Sequence, residues 1–290
     1  MVCINWNGTI LDASTRLISP ANRSFRYGDG IFETIRCSNG RVLWADRHFE
    51  RLQLAAATLQ MHMPKHLIYR GFIQYIEELV ERNHQEEKEV RVRFSLFRND
   101  GGLYTPMDDQ TSFLLESSAI PGELYAQKKQ GISLTFYSRQ YKAVGPLSTI
   151  KSSSALLYVM ASHYKREQEM DDCLIMNTYG RVAEASSSNI FLFKNGSLFT
   201  PGLDEGCVDG VMRRVLIGLA RDAGIPTYEK PIEVEDLESA DELFLSNAIV
   251  GLQWVRTLGN RMFDQRLSLS FREKLLEAAS DWLNSPYPDH

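Results

Sequence analysis

Arg181-Val182-Ala183-Glu184-Ala185-Ser186-Ser187-Ser188-Asn189-Ile190-Phe191-Leu192-Phe193 is the stretch on which the reading of this chain turns. A carboxylate is followed by four small residues, and then by an apolar run that reads as a strand. Small side chains let a flat ligand come close. A carboxylate held against a ring nitrogen keeps that nitrogen protonated, and the ring then draws electrons. Taken alone, the segment reads equally well as a capped loop with a solvated glutamate.

Upstream lies Ser148-Thr149-Ile150-Lys151-Ser152-Ser153-Ser154. A lysine between an apolar stretch and a run of small residues, at a strand-to-helix junction, is a candidate for partial burial, which favours the neutral, nucleophilic amine. Most lysines are exposed, so this segment alone decides little. Downstream, Gly206-Cys207-Val208-Asp209-Gly210-Val211-Met212-Arg213 enters a helix through Asp and Gly. First-turn N–H groups beside a residue without Cβ form an anion site, although a plain N-cap is the commoner use of such a sequence. Near the start, Tyr27-Gly28-Asp29-Gly30-Ile31-Phe32-Glu33-Thr34-Ile35-Arg36 precedes His48-Phe49-Glu50-Arg51-Leu52. Its glycines suggest a bend close to a ligand, or a hairpin entry.

The rest of the pattern gives the architecture. An Asn7-Gly8 turn closes a first hairpin, and Ser38-Asn39-Gly40 a second one between Ile31–Cys37 and Arg41–Trp44. Helical spacing follows in 45–61, and Pro64 is expected to open another helix to about Asn83. Strands are predicted at Val90–Phe97, Ser112–Leu115, Ile132–Tyr137, Cys173–Asn177, Asn189–Phe193 and Glu242–Leu245. Helices are predicted at Ser152–Glu169, Asp209–Ala223 and Leu267–Leu283, with a linker at Ser117–Gly122. Strands come in runs without strict β-α alternation. The predicted class is α+β, in two domains: a smaller one over 1–120 and a larger one over 121–290.

Composition excludes several function classes. The 290 residues are 43% hydrophobic and 24% charged, values of an ordinary globular enzyme. The net charge of −5 is spread without a basic block, so no nucleic-acid partner is expected. No signal peptide or spanning apolar run is visible, and a cytoplasmic location without a membrane partner is expected. Cys3, Cys37, Cys173 and Cys207 form no ligand pattern with each other or with the histidines, so no metal is expected.

No single segment is decisive, but their order and spacing together resemble the class-IV aminotransferases, the fold-type IV enzymes of pyridoxal 5'-phosphate (PLP). That family includes branched-chain and D-amino-acid aminotransferases and 4-amino-4-deoxychorismate lyases. The resemblance runs from Ile4-Asn5 to about Val255. It rests on Glu184-x-Ser-Ser-Ser-Asn-Ile-Phe, on a lysine some thirty residues before it, and on Gly210-Val-Met-Arg after it. The resemblance implies the two-domain D-amino-acid aminotransferase-like fold, with PLP in the cleft between domains, and a homodimer acting on a small amino-acid-like substrate. It implies that Lys151 forms the Schiff base and shuttles the Cα proton, and that Glu184 pairs with the pyridine nitrogen. Arg51, the backbone of Val211 and Met212, and the Asn247-Ala248 loop are implied to bind the cofactor phosphate.

Within the family, several positions resemble the lyases: Thr34 in Phe-Glu-Thr-Ile-Arg, Tyr27-Gly-Asp-Gly, Gly210-Val-Met-Arg and Ser246-Asn247-Ala248. Leu156 replaces the tyrosine of branched-chain enzymes. Other positions differ from the lyases or match the transaminases. Arg36 and Arg93 fall where branched-chain enzymes keep arginines, Leu103 replaces a second lyase arginine, and Ser154 replaces a frequent Asn. Arg93 and Arg98 are both candidates to clamp a substrate carboxylate, with Tyr27 beside them. The expected activity is a lyase that releases pyruvate from 4-amino-4-deoxychorismate, with Thr34 assisting at the leaving group. The alternatives are an amino acid:2-oxo acid transaminase and, more remotely, a non-catalytic binding protein on this fold.

Overall fold

Asn7 and Gly8 both lie at positive φ, 51° and 90°, the left-handed pair that a two-residue hairpin requires. They join β1 (Cys3–Trp6) to β2 (Thr9–Asp12) in the computed structural model, which describes residues 2–289. A short helix α1 (Arg23–Tyr27) is capped by the Asn22 side chain, which accepts the Phe25 N–H at 2.9 Å. The hairpin β3 (Gly30–Ser38) and β4 (Arg41–Val42) follows, then helices α2 (Ala45–Thr58) and α3 (Tyr69–Asn83). Strands β5 (Glu89–Arg98) and β6 (Thr111–Ala119) complete a six-stranded antiparallel sheet of order β2-β1-β6-β5-β3-β4. Its core stacks Phe72, Phe94 and Phe113 with ring centres 5.2 and 5.1 Å apart, all three fully buried.

Two expectations about this region give way. The helix expected from Pro64 starts at Tyr69, because the Leu67 N–H closes a turn onto the Pro64 carbonyl and Ile68 is extended at φ −94° and ψ 168°. The expected linker is strand as far as Ala119, which pairs with Val90, so the break falls only at Pro121-Gly122.

The second sheet is built from β7 (Ile132–Lys142), β8 (Asp172–Asn177), β9 (Val182–Ala185), β10 (Asn189–Lys194), β11 (Ser197–Thr200), β12 (Thr227–Glu229), β13 (Glu242–Asn247), β14 (Gly251–Leu258) and β15 (Arg261–Met262). The order is β12-β11-β10-β13-β14-β7-β8-β9, with β15 on β14. The β7–β8, β7–β14 and β11–β12 pairs are parallel. Helices α4 (Leu156–Glu167), α5 (Val211–Asp222), α6 (Val234–Glu238) and α7 (Leu267–Asn284) complete the chain. Phe191 and Phe244 stack at 4.9 Å with rings 3° from parallel, and Phe193 and Phe271 extend the cluster. The parallel strand β14 is absent from the sequence reading, since its alternation is broken by Gln253, Arg256 and Thr257.

The chain divides into two compact units. The first runs to Leu124 and also takes Lys151–Ala155 and the chain from Ala279 onward; the second is Tyr125–Ile150 with Leu156–Ala278. The expected ranges of 1–120 and 121–290 differ from this at the boundary itself, which lies at Leu124, and in two further segments, for identifiable reasons. Lys151–Ala155 is tied to β3: the Phe32 N–H donates to the Lys151 carbonyl at 3.0 Å, and the Ser153 N–H to the Gly30 carbonyl at 2.8 Å. This pairing also delays α4, expected from Ser152, until Leu156. At the C-terminus, Trp282 packs 5.3 Å from Trp44 and donates its indole N–H to the Val42 carbonyl. No helix of the described residues is long and apolar enough to cross a membrane.

Candidate active site

In the first unit, the two glycines of Gly28-Asp29-Gly30 make room for the lysine segment. Gly28 sits at φ 68°, and a Cβ there would meet the Ser154 backbone at 3.1 Å. A Cβ on Gly30 would meet Ser24 Oγ at 2.9 Å and Ser153 Oγ at 3.1 Å. The bend expected near a ligand therefore admits the Lys151 strand itself.

Strand alternation then sorts β3. Phe32 and Thr34 are half-buried on one face, while Glu33 is buried on the other. Across the ladder, Ser95 faces Phe32 and Arg93 faces Thr34. The Lys151 Nζ lies 4.5 Å from the centre of the Phe32 ring, and the Arg93 guanidinium 3.8 Å from it. An amine and a guanidinium thus meet at one phenyl ring, with Thr34 across the ladder from the guanidinium's residue. Arg93 donates to Ser95 Oγ at 3.2 Å and makes no ion pair among the described residues. Burial lowers its pKa, against the pull of Glu116.

The other arginine of β5 is differently placed. Arg98 Nε donates to Asp29 at 3.1 Å, Nη2 to the Leu59 carbonyl at 2.7 Å, and Nη1 to the Gln60 carbonyl at 3.2 Å and to Asp109. Its donors are committed to protein acceptors. Tyr27, 36% exposed at the end of α1, packs against Tyr104 with ring centres 5.5 Å apart and planes tilted by 46°, and Arg23 lies against its ring. Arg51, from α2, reaches Glu33 on the opposite side of β3 in a two-bond fork of 2.7 and 2.5 Å. His48 Nδ1 is 2.6 Å from the same carboxylate. Burial opposes the charge on Glu33, but Arg51 and His48 outweigh it and hold the carboxyl down at about 2. Burial lowers the pKa of His48, so it is neutral at pH 7.

In the second unit, Glu184 sits on β9 opposite Ile175, 3% exposed. Its Oε1 accepts Lys142 Nζ at 2.5 Å and the Tyr158 hydroxyl at 2.7 Å, and its Oε2 accepts the Val208 N–H at 2.9 Å. Burial and the neighbouring carboxylate raise the Tyr158 phenol's pKa, keeping it a hydrogen-bond donor. The serine run after Glu184 is knitted into place: Ser186 bonds Asp172, and Asn247 Nδ2 reaches Ser188 Oγ at 3.0 Å. Asn189 donates to the Val208 carbonyl at 2.8 Å, and a Cβ on Gly210 would strike its side-chain oxygen at 2.0 Å. Gly210 opens α5 with no side-chain cap, and the N–H groups of Val211 and Met212 lie in its first turn, beyond reach of intrahelical acceptors. Ala248 follows β13 in a turn that Asn247 Oδ1 fixes by accepting the Ile249 and Val250 N–H groups at 2.9 and 3.0 Å.

Three residues at these positions escaped the sequence reading. Phe32 looked like any alternating aromatic. Tyr158 lies on a helix with little to distinguish it. Lys142 follows four exposed residues and carried no sign of burial. No group of three His, Cys, Asp or Glu side chains among the described residues is arranged for a metal.

The comparisons with known proteins agree on the family. Residues 30–258 match the model of amino-transferase class IV, and the chain belongs to that family of PLP-dependent transaminases and lyases. The aminodeoxychorismate lyase of Bacillus subtilis is 30% identical over 251 residues, covering 84% of this chain and 82% of that one. A putative branched-chain-amino-acid aminotransferase of Methanocaldococcus jannaschii is 26% identical over 275 residues, 95% of this chain and 94% of that one. In fold, the chain matches the branched-chain aminotransferase of Thermoproteus uzoniensis with a TM-score of 0.87 at 24% identity, over 97% of this chain and 95% of that one. The residues present suit PLP chemically: a buried carboxylate for a ring nitrogen, uncapped helix N–H groups for a phosphate, and a half-buried amine for an aldehyde.

Proposed function

We propose that this chain is a PLP-dependent lyase that releases pyruvate from 4-amino-4-deoxychorismate and leaves 4-aminobenzoate. The observation that carries the reading is the grouping of Lys151 and Arg93 on the Phe32 ring, with Thr34 directly across the ladder from Arg93. The 30% identity to the Bacillus subtilis lyase supports it. When bound, the cofactor supplies an electron sink for the carbanion at the substrate Cα. Lys151 supplies the amine that holds the cofactor and then takes the Cα proton. Arg93 pairs with a substrate carboxylate, its charge undiverted by any acidic partner in ion-pair range. Thr34 donates a hydrogen bond to the departing oxygen as the C–O bond to the pyruvate unit breaks and the ring becomes aromatic. Glu184 is the proposed partner of the pyridine nitrogen. Val211, Met212 and the Asn247-Ala248 loop are proposed contacts of the phosphate, as is Arg51, braced by Glu33. Arg98 and Tyr27 shape the Asp29 and Tyr104 loops beside this face.

A transaminase is the second reading. Arg93, whose position matches a branched-chain arginine, would serve an amino-acid carboxylate equally well, and the Methanocaldococcus relative bears that name. The PLP-loaded protein should be mixed separately with L-Glu, D-Ala, L-Leu and 4-amino-4-deoxychorismate. A lyase makes 4-aminobenzoate and leaves the visible cofactor band unchanged with the three amino acids. Conversion of that band to the pyridoxamine form, with the matching 2-oxo acid, would overturn the lyase assignment in favour of transamination.

A further inference from the structure

We infer that Lys142, helped by Tyr158, is a positioning residue for Glu184 that governs how much of the carboxylate's charge is left for a ring nitrogen. The inference rests on the reading that Glu184 pairs with the pyridine of PLP. Strand β7 leaves β8 after Tyr137 and rejoins it at Lys142, opposite Asn177. The four residues between are exposed, whereas Lys142 turns inward and is 6% exposed. A lysine is seldom buried without a specific partner, and here the partner is Glu184 Oε1 at 2.5 Å.

The bonds divide the two carboxylate oxygens into distinct roles. Oε1 accepts from both Lys142 and Tyr158, so both its lone pairs are taken. Oε2 accepts one backbone N–H, from Val208, and keeps a lone pair for a further donor. Two cations, the Lys142 ammonium and a protonated pyridine, then share one negative charge away from water, where Coulomb interactions are weakly screened. The other titratable groups that interact here are Cys207, Asp209 and Arg213. Burial pushes the Cys207 thiol up to about 12, so it is neutral, while Asp209 pairs with Arg214 and Arg213 with Glu229. Lys142 is therefore the cation whose ion-pair partner is Glu184 itself, and it holds down protonation of the ring nitrogen.

The test uses the holoenzyme loaded with PLP labelled with nitrogen-15 in the ring, following the nitrogen's chemical shift against pH. Borohydride reduction first shows whether wild type carries a pyridoxyl group on Lys151; its absence would overturn the cofactor reading and the inference with it, whereas the variants below test the inference alone. With the adduct present, Lys142→Met is expected to move the ring nitrogen's titration midpoint upward by about one pH unit or more, and Lys142→Arg to restore the wild-type curve. A Lys142→Met curve that overlays wild type, or a displacement that Lys142→Arg leaves in place, would overturn the inference. If Lys142→Met does not fold, Tyr158→Phe carries the test: a smaller displacement in the same direction supports the inference, and none overturns it.

Discussion

The two units treat their functional groups in opposite ways. In the first, the face of β3 and β5 holds Lys151, Thr34 and Arg93 half-buried around Phe32, with Arg93 outside any ion pair among the described residues. In the second, Glu184 is 3% exposed, and three donors already hold it. The difference follows from the chemistry each must perform. A guanidinium outside any ion pair, such as that of Arg93, is tolerable where water can reach it. A carboxylate that must hold one fixed orientation can be buried, provided every buried charge is paired. The same contrast recurs within one strand, where Arg93 bonds Ser95 Oγ and makes no ion pair among the described residues, and Arg98, five residues on, is tied to Asp29, Asp109 and two carbonyls.

Several variants would break or sharpen this contrast. Lys151→Ala should have the largest effect. Turnover should fall by at least about 10³-fold, and borohydride should leave no pyridoxyl group on the chain; retained turnover would end the Schiff-base assignment. Arg98→Ala should destabilise the protein by about 3 kcal/mol in urea unfolding, because Asp109 and the Leu59 and Gln60 carbonyls lose their donor and Asp29 keeps only Arg23. An unchanged midpoint would mean that these contacts contribute little.

The Glu33 cluster should show itself in the pH dependence of stability. The Glu33 carboxyl is held at about 2, below its ordinary 4.5. A depressed pKa gives stability that is complete above the unfolded value and is lost as the pH falls through the folded one. Wild type should lose roughly 3 kcal/mol between pH 4.5 and 2 from this group, and Glu33→Gln should flatten that part of the curve. Identical acid profiles would count against the Arg51 fork. The smallest effect is expected from Arg93→Ala, which should raise KM roughly 10- to 100-fold with little change in the unfolding midpoint. A large loss of stability with unaltered KM would assign Arg93 to the framework.

Much of the candidate site was legible in the sequence because it depends on local chemistry. Glu184 announced itself by the small residues after it. Asp209-Gly210 before an apolar periodic stretch marked a helix entry, which the structure places two residues later than expected, at Val211. Lys151 stood out because it lies between an apolar stretch and a run of small residues, although the helix expected to begin at Ser152 starts only at Leu156. Lys142 was illegible because its burial arises from an irregularity between β7 and β8, and no local pattern encodes where a strand rejoins its neighbour. The reach of Arg98 was illegible for a similar reason: its acceptors come from two loops, Leu59 and Gln60 after α2 and Asp109 between β5 and β6.

By itself, the sequence determined the α+β class, the order of most elements, the family and the residues capable of PLP chemistry, because residue type, turn chemistry and strand or helix period are local properties. The tertiary structure alone decided which of Arg93 and Arg98 is held in ion pairs, that the Lys151 segment joins the β3 unit, and that Glu184 pairs with a buried lysine. Those outcomes depend on which distant groups arrive within bonding distance, and a hydrogen bond or ion pair exists only once both partners are in place.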